Sequence, residues 1–228
     1  MADAHFTPRL FSFLKDLARH NDREWFNANK ERYERDLKAP KLAFIADIEA
    51  PLMKLSPHLV ADPSPNGGSM FRSYRDVRFS PDKRPYKTHA AAQFRHEAGK
   101  DVHAPGRYLH LAPGECFCGG GVWRPDSKTL KAVRAKIDED PKAWKKATRG
   151  KSFVEHFTLG GEQLKRAPKG YDPDHPEIED LRRKDFASMT TFKQSEVTAP
   201  GFVKVVVQRY RTMAPFMRFL TDAIGVDF

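Results

Sequence analysis

The sequence predicts an α+β fold, with a mainly antiparallel sheet packed against N-terminal and C-terminal helices. Apolar residues recur at steps of three and four at both ends of the 228-residue chain, the spacing that lines one face of a helix. The middle is instead cut by glycine and proline into short segments, "HAAAQFRH", "RYLHLAPG" and "ECFCGGGVW", the punctuation of antiparallel strands. Helical stretches lie on both sides of these strands, and no internal repeat or low-complexity linker separates them. One domain over residues 1–228 is therefore expected, helical in 7–57, strand-rich in 70–123 and mixed in 124–228.

Each element has its own signal. "TPRLFSFLKDLARHN" offers Thr7 as N-cap and Pro8 at the first helical position, with Leu10, Phe13, Leu14 and Leu17 as the buried stripe. A second helix starts at Asp22, packing Trp25, Phe26, Tyr33 and Leu37, and Pro40 breaks or re-initiates it. Leu42, Ile45, Ile48, Leu52 and Leu55 carry the helical period up to Pro57. "ADPSPNGGS" is a loop that joins the helical layer to the sheet. Beyond the strands, "PDSKTLKAVRAKID" is a capped helix, and Trp144 anchors a short one. "SFVEHFTL" and "DFASMTTF" read as strands, with "EIEDLRRK" helical between them. From Pro200 a closing helix buries Phe202, Val206, Tyr210, Met213, Met217, Leu220 and Ile224, with a kink at Pro215.

Composition narrows the function classes. At 39% hydrophobic and 31% charged residues the chain builds a core, which excludes global disorder. No apolar run approaches the ~20 residues that cross a bilayer. "MADAHFTPRL" lacks the three regions of a secretory signal. Cys116 and Cys118, one residue apart, make no disulfide framework. A cytoplasmic protein without a membrane partner is expected. The net charge of +10 favours nucleic acid, an acidic membrane surface or small polyanions without choosing between them.

Much of that charge sits in "FRSYRDVRFSPDKRPYKTH", residues 71–89, where six cations against Asp76 and Asp82 leave +4. Read as a strand, 71–79 places Arg72, Tyr74, Asp76 and Arg78 on one face. Arg75 then shares the other face with Phe71, Val77 and Phe79. A guanidinium there needs a carboxylate or a phosphate. Arginine suits bidentate recognition of either group, so two readings stay open. In one, Arg72, Arg75, Arg78, Lys83, Tyr86 and Lys87 line an anion site. In the other, the arginines form a structural ion-pair network.

The pattern Arg72-x-x-Arg75-Asp76-x-Arg78-Phe79, followed by Asp82-Lys83-x-x-Tyr86-Lys87-Thr88-His89, resembles the signature of the domain of unknown function 2461 family of bacterial and fungal proteins. "NDREWFNANKERY", "YLHLAPGECFCGGGVW" and "LKRAPKGYDPDHP" extend the resemblance over nearly the whole chain. It implies a single α+β domain and brings no catalytic role with it.

Other candidates are weaker. Cys116, Cys118 and His110 offer three soft ligands, but Cys-x-Cys is not the spacing of a structural zinc site. Close packing explains the thiols better, and neither a metal nor a cofactor is expected. Gly119, Gly120 and Gly121 fit no phosphate-loop pattern, and a bulge or a close crossing beneath Trp123 accounts for them. His89, His96, His103 and His110 fall seven apart but do not form one ligand set. His89, beside the basic run, is a candidate general acid or base with Asp76 as its partner. A second basic loop brings Arg166, Lys169 and His175, which converge on the same anion if the two loops meet. The expectation is a protein that binds a phosphorylated or carboxylated ligand, and whether it also acts on that ligand is left open. The alternatives are a nucleic-acid module that uses the same cations, with Tyr74, Phe79 or Tyr86 stacking on bases, and a partner-binding protein with an internal Arg-Asp network. The oligomeric state is left open.

Overall fold

The computed structural model describes residues 4–100 and 103–228. The helical opening is α1 (Pro8–Arg19), α2 (Arg23–Ala28), the single turn α3 (Lys30–Tyr33), a π-helical segment Glu34–Lys38, and α4 (Ala39–Leu55). Thr7 takes the extended conformation of an N-cap, although its side chain makes no capping bond. Asp22 caps α2 by accepting from the Trp25 amide at 2.8 Å. Pro40 does re-initiate the helix. Lacking an N–H, it sits in the first turn of α4, and the wider π turn before it absorbs the clash.

Six antiparallel strands follow, β1 (Leu59–Val60), β2 (Ala90–His96), β3 (Gly106–Ala112), β4 (Glu115–Val122), β5 (Thr158–Gly160) and β6 (Phe186–Phe192), in the spatial order β1-β2-β3-β4-β6-β5. Between and after them come α5 (Ser127–Glu139), α6 (Pro141–Arg149), α7 (Lys151–Val154), α8 (Ile178–Leu181), α9 (Gln194–Val197), α10 (Phe202–Thr212) and α11 (Ala214–Ile224). The closing helix breaks in two at Met213, with Pro215 in the first turn of α11.

Two sequence expectations change. Residues 71–79 do not form a strand. Only Tyr74 enters an antiparallel bridge, with Tyr86, because Pro81 and Pro85 withhold the amides a longer ladder needs. "SFVEHFTL" is a helical turn, α7, followed by the short β5. The Phe157 amide donates to the Phe153 carbonyl at 2.8 Å, a bond between residues four apart that a helical turn makes and a strand does not.

The sheet has two unlike faces. Leu109, Leu111, Cys116, Cys118, Phe186 and Phe192 alternate inward and are covered by the helical layer of α4, α10 and α11. Gln93, Tyr108, His110, Phe117, Met189 and Thr191 alternate outward and stay partly open. No helix of the described residues is long and apolar enough to cross a membrane.

Candidate functional site on the open face of the sheet

The basic run folds into an arm. Its stem is closed by the Arg75 amide donating to the Pro85 carbonyl at 2.8 Å and the Lys87 amide donating to the Ser73 carbonyl at 2.7 Å. Asn21, just past α1, grips the stem from below. Its amide donates to the Tyr86 carbonyl and accepts from the Tyr86 N–H, both at 3.0 Å. The Tyr86 ring stacks on Phe26 with centroids 4.0 Å apart, so it is a buried anchor rather than a ligand contact.

At the tip of the arm the arginines find the protein's own carboxylates. Arg75 donates to Asp82 at 2.5 Å, and Arg84 holds the same carboxylate at 2.7 Å. These two guanidinium groups, Arg84 first, keep the Asp82 carboxyl well below the usual range. Arg78 pairs with Asp76 at 2.7 and 3.0 Å, which occupies the carboxylate expected to serve His89. Lys83 donates to the Val77 carbonyl. Phe79 is 94% exposed at the tip. Arg72 and Lys87 form no ion pair among the described residues.

Where the arm returns to the sheet, a different set of groups converges. Ser69–Phe71 runs along the edge of β2 beside β1, with the Phe71 amide donating to the Ala91 carbonyl. This lays the Phe71 ring near Tyr108, centroids 6.0 Å apart. Lys87 stands over the same ring, its Nζ 4.9 Å from the centroid. Lys41, on α4, reaches the Phe71 carbonyl with its Nζ at 3.2 Å and is only 3% exposed. His89, two residues before Ala91, faces His110, which is directly opposite Ala91 on β3, and the two rings are 4.3 Å apart. His110 accepts from or donates to the Tyr108 hydroxyl through Nδ1 at 3.0 Å and stacks on Phe117 at 4.7 Å.

Lys41, Lys87, His89 and His110 thus sit together, and none is paired with a carboxylate among the described residues. Burial, with Lys87 nearby, pushes the Lys41 ammonium down to about 7. Burial, then His110, Lys87 and Lys41, pushes His89 down to about 4. Burial also lowers His110, offset in part by Glu115 at the start of β4, and lowers Lys87, with Arg72 adding to it. At neutral pH His89 is therefore uncharged and Lys41 is close to half-protonated, and an anion placed beside them favours their protonated forms.

Beside this cluster the open face carries a cavity of about 780 Å³, whose lining includes Phe71, Gln93, Tyr108, Phe117, Trp123 and Met189. Lys41, Lys87, His89 and His110 do not line it themselves, but Phe71, Tyr108 and Phe117 border both regions, so the cavity adjoins the cluster. Glycines make the floor. A side chain on Gly121, at φ 133°, would run into the Phe186 carbonyl, and one on Gly119 into the Ser188 carbonyl. The close crossing expected near Trp123 is therefore present. Its consequence, a bare patch in the middle of the sheet, was not foreseen.

The remaining candidates lie elsewhere. His175 contacts Asp138 on α5 at 3.2 Å, and Tyr171 packs in the core cluster around Trp144. Arg166 and Lys169 are exposed on the same loop. No hydrogen bond or ion pair among the described residues links this loop to the arm. Cys116 and Cys118 point into the helical layer while His110 points to the open face, which separates the three would-be soft ligands. Of the four histidines spaced by seven, His89 and His110 meet. His96 turns inward and stacks on His58 instead. Sequence reasoning missed Lys41, Tyr108, His110 and Phe117 as site residues. The register of the β2–β3 pair was the one signal that brings His110 to His89, and Lys41 reads as one more polar residue on a helix.

No curated protein and no solved structure matches the chain. The family described as "Conserved hypothetical protein (DUF2461)" matches residues 9–219, nearly the full length that carries the arm, the sheet and its open face, and the chain belongs to that family.

Proposed function

We propose that this protein binds a small organic anion, a phosphate ester or a carboxylate, at the Lys41–Lys87–His89–His110 cluster, where the edge of β2 meets the open face of the sheet. One observation carries the reading. Two amines and two imidazoles share one partly buried corner in which, among the described residues, no carboxylate pairs with any of them, beside a cavity large enough for a ligand. A buried ammonium without a counter-charge is unfavourable by several kcal/mol, so an arriving anion gains what the protein itself leaves unsatisfied. The arginines at the arm tip play another part here, since Asp76 pairs with Arg78 and Asp82 is shared by Arg75 and Arg84. If the site also turns over its ligand, the paired His89 and His110 imidazoles are better placed than Asp76 to move a proton. Unpaired buried thiols at Cys116 and Cys118 suit the reducing cytoplasm.

A thermal-stability titration tests this. Inorganic phosphate should raise Tm saturably in the wild type, Lys87→Ala should abolish the effect, and Arg78→Ala should leave it intact. Loss of the response in Arg78→Ala, with Lys87→Ala unaffected, moves the site to the arm tip. The rival nucleic-acid reading draws on Arg72, Arg78, Lys83 and Arg84 around the exposed Phe79. It requires single-stranded DNA to bind with an affinity that falls steeply with salt.

A further inference from the structure

The floor of the cavity is built of peptide groups rather than side chains. On the open face one cross-strand row runs Gln93, Tyr108, Gly119 and Met189, and the next runs Gly106, Gly121, Ala187 and Gly160. Along the Gly106–Gly121–Ala187–Gly160 row nothing larger than a methyl group rises from the sheet, and Gly119 opens a gap between Tyr108 and Met189 in the neighbouring row, with Phe117 and Trp123 also at the edge of the cavity. Trp123 is 54% and Met189 40% exposed, so large apolar surface faces solvent at this rim. A flat floor with aromatic edges matches a flat ring, which stacks on peptide planes and meets ring edges at its sides. A branched aliphatic group leaves the flat gap unfilled. Gly119 is the floor residue nearer the basic cluster, and Gly121 lies two residues further away. Gly119 faces Tyr108 on β3, and His110 lies two residues along from Tyr108, about 7 Å at strand rise, with Phe71 bordering both regions.

We infer that the ligand is a planar aromatic ring carrying a phosphate or carboxylate on a short arm, with the ring on the Gly119–Gly121 floor and the anion at Lys41, Lys87, His89 and His110. This rests on the anion reading above and adds the chemistry of the rest of the ligand. The anionic end supplies attraction at the edge of β2, and the ring supplies selectivity.

Calorimetric titration of the wild type with 1-naphthyl phosphate, cyclohexyl phosphate and inorganic phosphate separates the two claims. The aromatic ester should bind at least tenfold more tightly than the cyclohexyl ester of equal charge. Ala187→Leu, which fills the floor, should remove that advantage while inorganic phosphate still binds. Trp123→Leu, at an exposed side chain whose loss the fold tolerates, should reduce the advantage at least threefold, so the test survives if Ala187→Leu does not fold. Equal affinity for the two esters, with inorganic phosphate still bound, overturns the aromatic ring and leaves the anion reading standing. An aromatic advantage that persists in both variants also overturns it. Binding of none of the three ligands overturns both readings.

Discussion

Lys41 places an amine where water does not reach, and its protonation is linked to folding. The unfolded chain holds this proton up to about pH 10.5, whereas the folded protein releases it at about 7. Between these values the unfolded state binds more protons, so stability falls as pH drops from about 10.5 to about 7 and is level below that. The groups facing Lys41 are Lys87 and His89 from the arm and its return to β2, with the Phe71 carbonyl as its hydrogen-bond partner. Denaturant titrations of the wild type and Lys41→Met at pH 7 and pH 9.5 should therefore diverge. The wild type gains roughly 3 kcal/mol relative to the variant over that interval, and an unchanged difference removes the buried neutral amine from the account. A bound anion pulls the same equilibrium back toward the ammonium, so phosphate affinity should decline as pH rises above about 7. His89 acts in a lower window. Its depressed value makes stability fall as pH drops from about 6.5 through about 4.

At the scale of the element, the arm is held by its stem and only trimmed by its ion pairs. Asn21 supplies two hydrogen bonds to the backbone of Tyr86, next to Lys87. Asn21→Ala strands both backbone groups and should lower stability by about 2 kcal/mol, and it should weaken the phosphate-induced rise in Tm because Lys87 loses its footing. Arg75→Ala removes a partly exposed pair with Asp82 and should change stability by less than about 1 kcal/mol, with the phosphate response retained. A larger loss on Arg75→Ala than on Asn21→Ala reverses this ranking. The arm also marks where sequence stopped being legible. Helical period and glycine punctuation led directly to α1, β2, β3, β4 and α5, because each is decided by local spacing. Alternation sent Arg75 to an apolar face on the assumption of a strand, and the two prolines replaced that strand with a hairpin of loops. Its partner, Asp82, lies seven residues on, beyond any local pattern. The Lys-His cluster is less legible still. Lys41, Lys87, His89 and His110 come from α4, the arm and two strands, and only the register of β2 on β3 and the path of Phe71 along the sheet edge unite them.

Across the whole molecule, two hydrophobic clusters share one sheet. The first gathers α1, α2, α4, β2, β3 and α10 around Phe13, Phe44, Phe94 and Tyr210. The second gathers α5, α6, α7 and α11 around Val133, Trp144, Phe186 and Phe216. The first has β2 and β3 to itself, but the two share β4 and β6. β4 gives Cys116 and Cys118 to the first and Val122 to the second, and β6 gives Phe192 to the first and Phe186 to the second. Met213, where α10 passes into α11, has its sulfur over Gly120 of β4. Unfolding one cluster therefore strips one end of strands that the other needs, so the two should melt together as a single domain. Tryptophan makes this measurable, since Trp25 packs on the first cluster and Trp144 lies at the centre of the second. Variants that keep one of these two indoles, with the other and Trp123 replaced by phenylalanine, should show each probe's transition coinciding with that variant's own far-ultraviolet circular dichroism. Val122→Ala, a truncation confined to the second cluster that should lower stability by roughly 2 kcal/mol, should move the Trp25 signal to lower denaturant as far as it moves the Trp144 signal. A Trp25 transition that stays in place while the Trp144 transition shifts divides the chain into two units, and the open face of the sheet, with its basic corner and glycine floor, then spans a boundary rather than one rigid surface.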